Sequence, residues 1–227
     1  MSPETSTQLL TALERSGPRP ALAWYGEAAR IELSGHVLAN WVIKSIGHLH
    51  DEIALDPEDT VVLDLPAHWK RLVLALAAWS LGAEVTLLDR DAEPERDADD
   101  PDPRVVATDR PDTPLAADAD EVLALGAVSL APRFDGPLPA LAHDWVAEVR
   151  SSPDRLGLDL PAWSGPAPEA PAATGTPPRL LVADDGLAAA PAVLAALLAG
   201  GGFVGPAAEV SAQRAREEGV TTPAEDA

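Results

Sequence analysis

The 227 residues are 46% hydrophobic, enough apolar material for a buried core in one large or two small domains. With 37 acidic residues against 16 basic ones the formal net charge is −21, a balance that repels phosphate backbones and anionic lipid, so neither nucleic acid nor a membrane surface is expected as a partner. The chain has no cysteine, which excludes disulfides, thiolate metal sites and cysteine nucleophiles.

The opening segment "MSPETSTQLLTALERSG" has neither a basic n-region nor an apolar h-region, and no later run is apolar and uncharged over the roughly 18 residues a membrane span needs. A cytoplasmic location is expected. A helix is predicted over "STQLLTALER", then two short strands in "ALAWYGEAARIEL" about a turn at Gly26. From Ser34, a plausible N-cap, Val37, Leu38, Trp41, Val42, Ile46, Leu49 and Ile53 recur at helical spacing.

"TVVLDLP" has the continuous apolar character of a strand buried on both faces, as in a parallel sheet, and Pro66 stops it. "HWKRLVLALAAWSL" predicts a helix released at Gly82, and "EVTLL" a returning strand, together a right-handed βαβ unit. The acidic stretch after Asp89 lacks the Gly and Glu positions of a calcium loop and reads as solvated. "RVVATD" and "GAVSLA" predict short strands with a short helix, "DADEVLAL", between them, and "PALAHDWVAEVRSS" predicts a helix ending near Pro153. Residues 156–178 are too rich in proline and glycine for regular structure, and the tail "VTTPAEDA" is expected to fray.

A second strand, helix, glycine and strand succeed one another in "RLLVADDGLAAAPAVLAALLAGGGFVG", echoing the first: Val61 to Gly82 and Leu180 to Gly201 are both 21 positions. The echo predicts two sheets of similar construction or two crossovers in one sheet.

Few motifs carry chemistry. Gly200, Gly202 and Gly205 spell G-x-G-x-x-G, but they come after a helix and lead into a strand, the reverse of a dinucleotide loop, so close backbone packing is the better reading. "ATGTPP" lacks the lysine of a phosphate loop, and its prolines remove backbone donors. His68, Trp69 and Lys70 stand where ligands of open α/β sheets bind, and Asp184 and Asp185 come after a strand where they could hold a metal or polarise a water. His68, Lys70 and Asp184 are therefore weak candidates for residual ligand binding. His36, His48, His50 and His143 are weaker candidates: His48 and His50, two apart on a helix, face different ways and make a poor metal pair, and His143 with Asp144 reads as a helix surface. No catalytic, cofactor-binding or metal-binding residue is assigned, and no cofactor is expected.

The order of "RPALAWYGEAARIELSGHVLANWVIKSIGHL", "LDPEDTVVLDLPAHWKRLVLALAAWSLGAEVTLLD" and "RLLVADDGLAAAPAVLAALLAGGGFVGP…AREEGVT" resembles the N-terminal portion of the AMP-binding, adenylate-forming superfamily of acyl-CoA synthetases, luciferases and adenylation domains. The layout also looks like a small actinobacterial family of uncharacterised role, with remote similarity to those enzymes. The resemblance implies an α/β fold with parallel or mixed sheets flanked by helices. It divides the chain into an adenylate-forming-like α/β subdomain at 1–155, a Pro/Gly-rich loop or linker at 156–178, a second α/β segment at 179–222 and a tail at 223–227. The family's phosphate loop ending in Pro-Lys and its aromatic-Gly-x-Thr-Glu magnesium motif have no counterpart here, and its lid with the catalytic lysine would lie beyond Ala227. These gaps lead to the expectation of a pseudoenzyme: a degenerate, non-catalytic relative acting as a binding or protein-interaction module. The alternative is a residual nucleotide- or acyl-ligand-binding protein, or a ligase component completed by another chain.

Overall fold

A computed structural model describes residues 4–26, 30–90, 102–126, 130–170 and 176–223. The described residues group into two compact units interleaved along the chain: one drawn from Val42–Pro66 and Val73–Gly165, the other from Pro3–Trp41, Ala67–Leu72 and Pro166–Ala227. The acidic stretch at 91–101 and the ATG of "ATGTPP" lie outside the described residues.

The first unit holds β3 (Thr60–Asp64), β4 (Glu84–Leu87), β5 (Val105–Thr108), β6 (Glu121–Ala124) and β7 (His143–Asp144), after β1 and β2 of the second unit. They form one sheet in the order β4-β3-β5-β6-β7, every neighbouring pair parallel. Central β5 is wholly buried and β3 nearly so, while edge strand β4 is largely exposed. Val62 and Val106 pack with Ala116 of the short helix α4 (Pro114–Ala117), whose N-cap Thr113 accepts the Ala116 N–H.

The second unit holds α1 (Glu4–Ser16), β1 (Pro20–Tyr25), β2 (Arg30–Ser34), β8 (Arg179–Leu181), α6 (Ala190–Leu198), β9 (Gly202–Gly205), α7 (Ala212–Glu217) and β10 (Thr222–Pro223). Its sheet runs β10-β8-β9-β1-β2 and is mixed, because β1 pairs antiparallel with β2 and parallel with β9. Ala23, Val204 and Val210 form a buried cluster flanked by Tyr25 and Leu181. Helix α2 (Gly35–Asp51) is capped by Ser34, whose hydroxyl accepts the Val37 N–H at 3.3 Å. Among the described residues no helix is long and apolar enough to cross a membrane.

The internal echo is realised as two separate sheets. β3, α3 (Trp69–Ser80) and β4 make one parallel crossover, and β8, α6 and β9 the other. Both helices end in the same hydrogen-bonded stop. Gly82 has φ +79°, with Ala83 N–H on Ala78 C=O and Gly82 N–H on Trp79 C=O; Gly200 has φ +73°, with Gly201 N–H on Ala196 C=O and Gly200 N–H on Leu197 C=O. The equivalent of Gly82 is thus Gly200, one residue earlier than the spacing count places it. Gly201, Gly202 and Gly205 serve close packing: an added Cβ would sit 2.0 Å from Pro178 O, 2.5 Å from Ala21 O and 2.4 Å from Asp184 O.

Two expected helices are corrected. "DADEVLAL" contains strand β6, paired residue for residue with β5 from Val105↔Glu121 to Thr108↔Ala124, because Leu123 and Ala124 are buried in the sheet and tertiary pairing overrides helix propensity. The expected strand "GAVSLA" falls largely on residues 127–129, outside the described ones. In "PALAHDWVAEVRSS" the helix shrinks to α5 (Trp145–Val149), since His143 and Asp144 pair with β6 as β7, and Asp144 caps the shortened helix.

Residues 156–165 carry no regular element, yet Trp163 is 2% exposed and its ring lies 5.6 Å from that of Trp79. Ser164 reinforces the contact, its N–H on Trp79 C=O at 3.2 Å and its hydroxyl on Ala83 C=O at 2.6 Å. Trp163→Ala is expected to cost about 3–5 kcal/mol, the range for emptying a buried aromatic site. Urea unfolding would show this as a lower midpoint; an unchanged midpoint would mean that this tryptophan carries no packing.

Candidate functional site

In an open parallel sheet, ligands bind outside the carboxyl ends of the strands where the strand order reverses. In the first unit that point falls at β3 and β5: from β3 the chain moves to β4 on one side, then returns to β5 on the other. The carboxyl ends meet in register at Asp64 and Thr108. Asp64 is 1% exposed, so its charge must be matched locally. Thr108 donates its hydroxyl to Oδ2 at 2.8 Å, Arg110 donates to Oδ1 at 2.6 Å, and Arg90 Nε lies 3.3 Å from Oδ1. Arg90 also forks onto Asp109, at 2.9 and 3.4 Å.

Asp64, Arg90 and Arg110 line a cavity of about 240 Å³ with Leu88, Asp89, Thr113, Pro114 and Leu115. The hydrogen bond to Asp64 raises the pKa of Arg110. The side chain of Arg110 is 45% exposed, leaving donors turned towards solvent. Two guanidiniums face two carboxylates in these pairs, so the charges there are balanced. Sequence reasoning did not single out Asp64, Arg90 or Arg110. The signal was there: "LD" and "ATDR" close two apolar strands, the position this topology favours.

The candidates His68, Lys70 and Asp184 lie together in the second unit, around a different centre. Asp185, fully buried, takes Arg71 Nε at 2.7 Å and Arg71 Nη2 at 3.1 Å, with the His68 backbone N–H at 3.0 Å. Burial raises the Asp185 pKa against the opposing pull of Arg71. Asp184 accepts the N–H groups of Gly186 and Ala188 and closes a turn. The His68 ring stands edge-on to Trp24, its Nε2 buried without a partner, and burial, joined by the charge of Lys70, lowers its pKa to about 3. Lys70 is 3% exposed, its Nζ 5.9 Å from the Trp69 ring centroid. Arg71, 114 residues from Asp185, carried no sequence signal of this pairing.

Among the described residues one group of imidazole and carboxylate atoms converges as metal ligands do: His48, His143 and Glu148, in the first unit.

The fold is similar to that of the N-terminal domains of acyl-CoA synthetases. The chain is similar to an acyl-CoA synthetase of Brucella canis (TM-score 0.63, 19% identity, covering 95% of this chain and 46% of that one). It is similar to the N-terminal domain of FACL13 from Mycobacterium tuberculosis (TM-score 0.65, 14% identity, 96% and 62%) and to the O-succinylbenzoate coenzyme A synthetase of Bacillus subtilis solved with ATP and magnesium ion (TM-score 0.60, 11% identity, 95% and 62%). In sequence it is 37% identical over 91 residues to a "TIGR03089 family protein" of Mycobacterium tuberculosis, a match spanning 39% of this chain and 37% of that protein. No family model matches the chain.

Asp64→Ala removes the acceptor of the Thr108 hydroxyl and of Arg110, and one of the two carboxylates that face Arg90, and is expected to cost about 1–3 kcal/mol, the half-exposed Arg110 contributing least; urea unfolding checks it. The folded state keeps His68 neutral down to about pH 3, whereas the unfolded chain takes up that proton near 6.5, so stability falls as pH drops through this window. His68→Phe should flatten the pH dependence of the unfolding free energy between these values by about one proton, ~1.4 kcal/mol per pH unit; identical slopes in both proteins would contradict the burial of a neutral imidazole.

Proposed function

We propose that this chain is a non-catalytic binding module that keeps the adenylate-forming fold without the means to handle a nucleotide triphosphate. The observation that carries the reading is the state of its two lysines. Transfer at phosphorus needs a cation placed against the developing charge. Lys44 donates to the backbone carbonyls of Arg150 and Ser152, and Lys70 is buried beside Trp69. The arginines near the strand ends, Arg71, Arg90 and Arg110, are already matched to aspartates. The sequence lacks the magnesium-site glutamate motif of the adenylate-forming enzymes, which supports the non-catalytic part of the reading; a protein partner is the ligand the reading expects.

A second reading, residual binding of a small nucleotide or acyl-type ligand, draws support from the Asp64, Arg90 and Arg110 pocket, which sits at the sheet's switch point and keeps donors of Arg110 turned to solvent. Thermal unfolding with ATP, AMP or CoA, each with magnesium, separates the two. A ligand present at a hundred times its dissociation constant adds about 2.7 kcal/mol. The first reading expects an unchanged midpoint with all three; a rise that Arg110→Gln abolishes would replace it with the second.

A further inference from the structure

His48, His143 and Glu148 all belong to the first unit and come from the C-terminal part of α2, from β7 and from α5, 100 residues of sequence separating the first from the last. Glu148 Oε2 lies 3.1 Å from His48 Nε2 and 2.7 Å from His143 Nδ1, and the three ligand atoms are all within 4.8 Å of one another. Two of the three ligands are held from behind. The other oxygen of Glu148 accepts the Asp144 backbone N–H at 3.1 Å, while Asp144 caps the same helix turn by accepting from Ala147. His143 Nε2 lies 3.2 Å from Glu121 Oε2 on β6, the carboxylate-behind-histidine arrangement that orients metal-binding imidazoles. The His48 side chain is fully buried, with Nδ1 shielded and unpartnered, so its one polar contact is through Nε2.

His143 faces a carboxylate at each ring nitrogen, Glu148 at Nδ1 and Glu121 at Nε2, so an ion taken up between His48, His143 and Glu148 is ligated through Nδ1 while Nε2 keeps its contact with Glu121.

We infer that His48, His143 and Glu148 form a binding site for a divalent first-row transition metal of the zinc type, with Glu121 as the positioning carboxylate behind His143. Two imidazoles and one carboxylate suit zinc, cobalt or nickel far better than calcium or magnesium, and three protein ligands leave a fourth position for water. The ion ties the end of α2 to β7 and α5 within this unit. The inference is independent of the proposed binding function and of the Asp64 pocket.

The test is a titration of the full-length chain, first stripped with a chelator, with Co²⁺ monitored by visible absorption and with Zn²⁺ monitored by calorimetry. The site predicts saturable binding of one equivalent, cobalt bands of a four- or five-coordinate site that Zn²⁺ displaces, and a higher unfolding temperature with metal. His143→Gln and Glu148→Gln, both partly exposed and chosen to preserve the fold, should each weaken binding by more than about tenfold, Glu121→Gln by about 10–100-fold. His50→Ala, at the exposed neighbouring imidazole, should leave it unchanged. No saturable binding of either ion, or affinity unchanged in either His143→Gln or Glu148→Gln with circular dichroism intact, would overturn the assignment.

Discussion

A carboxylate withdrawn from water at the end of a central strand sets the terms for the first unit. Asp64 closes β3 at 1% exposure, and an unmatched charge there would cost several kcal/mol. Thr108 in β5, Arg110 just beyond it and Arg90 just beyond β4 each contribute a donor, so the carboxyl ends of three adjacent parallel strands are tied to one residue. The same solution recurs in the second unit, where Asp185 after β8 is fully buried and clasped by Arg71. Each unit thus pairs arginine with a buried aspartate that closes or follows a parallel strand. In the first, part of the arginine surface still faces a cavity; in the second the pair is closed over.

Much of the frame was legible from the order of residues. Apolar continuity in "TVVLD", helical spacing from Val37 to Ile53, and glycine at the ends of alanine-rich helices led to β3, α2, the stop at Gly82 and, within one residue, the stop at Gly200, because these are local signals. The misreadings came where partners distant in sequence decide. The residues of β6 have fair helix propensity and become a strand because β5 has an open edge; His143 and Asp144 leave a predicted helix because β6 has the next one. Trp163 is anchored by Trp79, a partner that composition cannot reveal in a stretch crowded with proline.

Sites were less legible than strands. His68 and Lys70 were placed by topology at a helix start, and both are buried there, which turns a location favourable for ligands into packing. The clusters with accessible polar atoms, Asp64 with Arg90 and Arg110, and Glu148 with His143, join residues on different strands and helices. A histidine two residues from another in sequence was weighed as a metal pair, whereas the geometry brings His48 to His143, 95 residues away. Spacing within one element cannot see such a pairing.

The central proposal is that a fold similar to that of acyl-CoA synthetases is kept here without adenylation. ATP–pyrophosphate exchange, measured with magnesium over a panel of aliphatic and aromatic carboxylic acids, addresses it directly. The account predicts no exchange above the protein-free rate with any acid. Acid-dependent exchange that tracks the purified chain would contradict it, and would place a working nucleotide site among residues here assigned to structure.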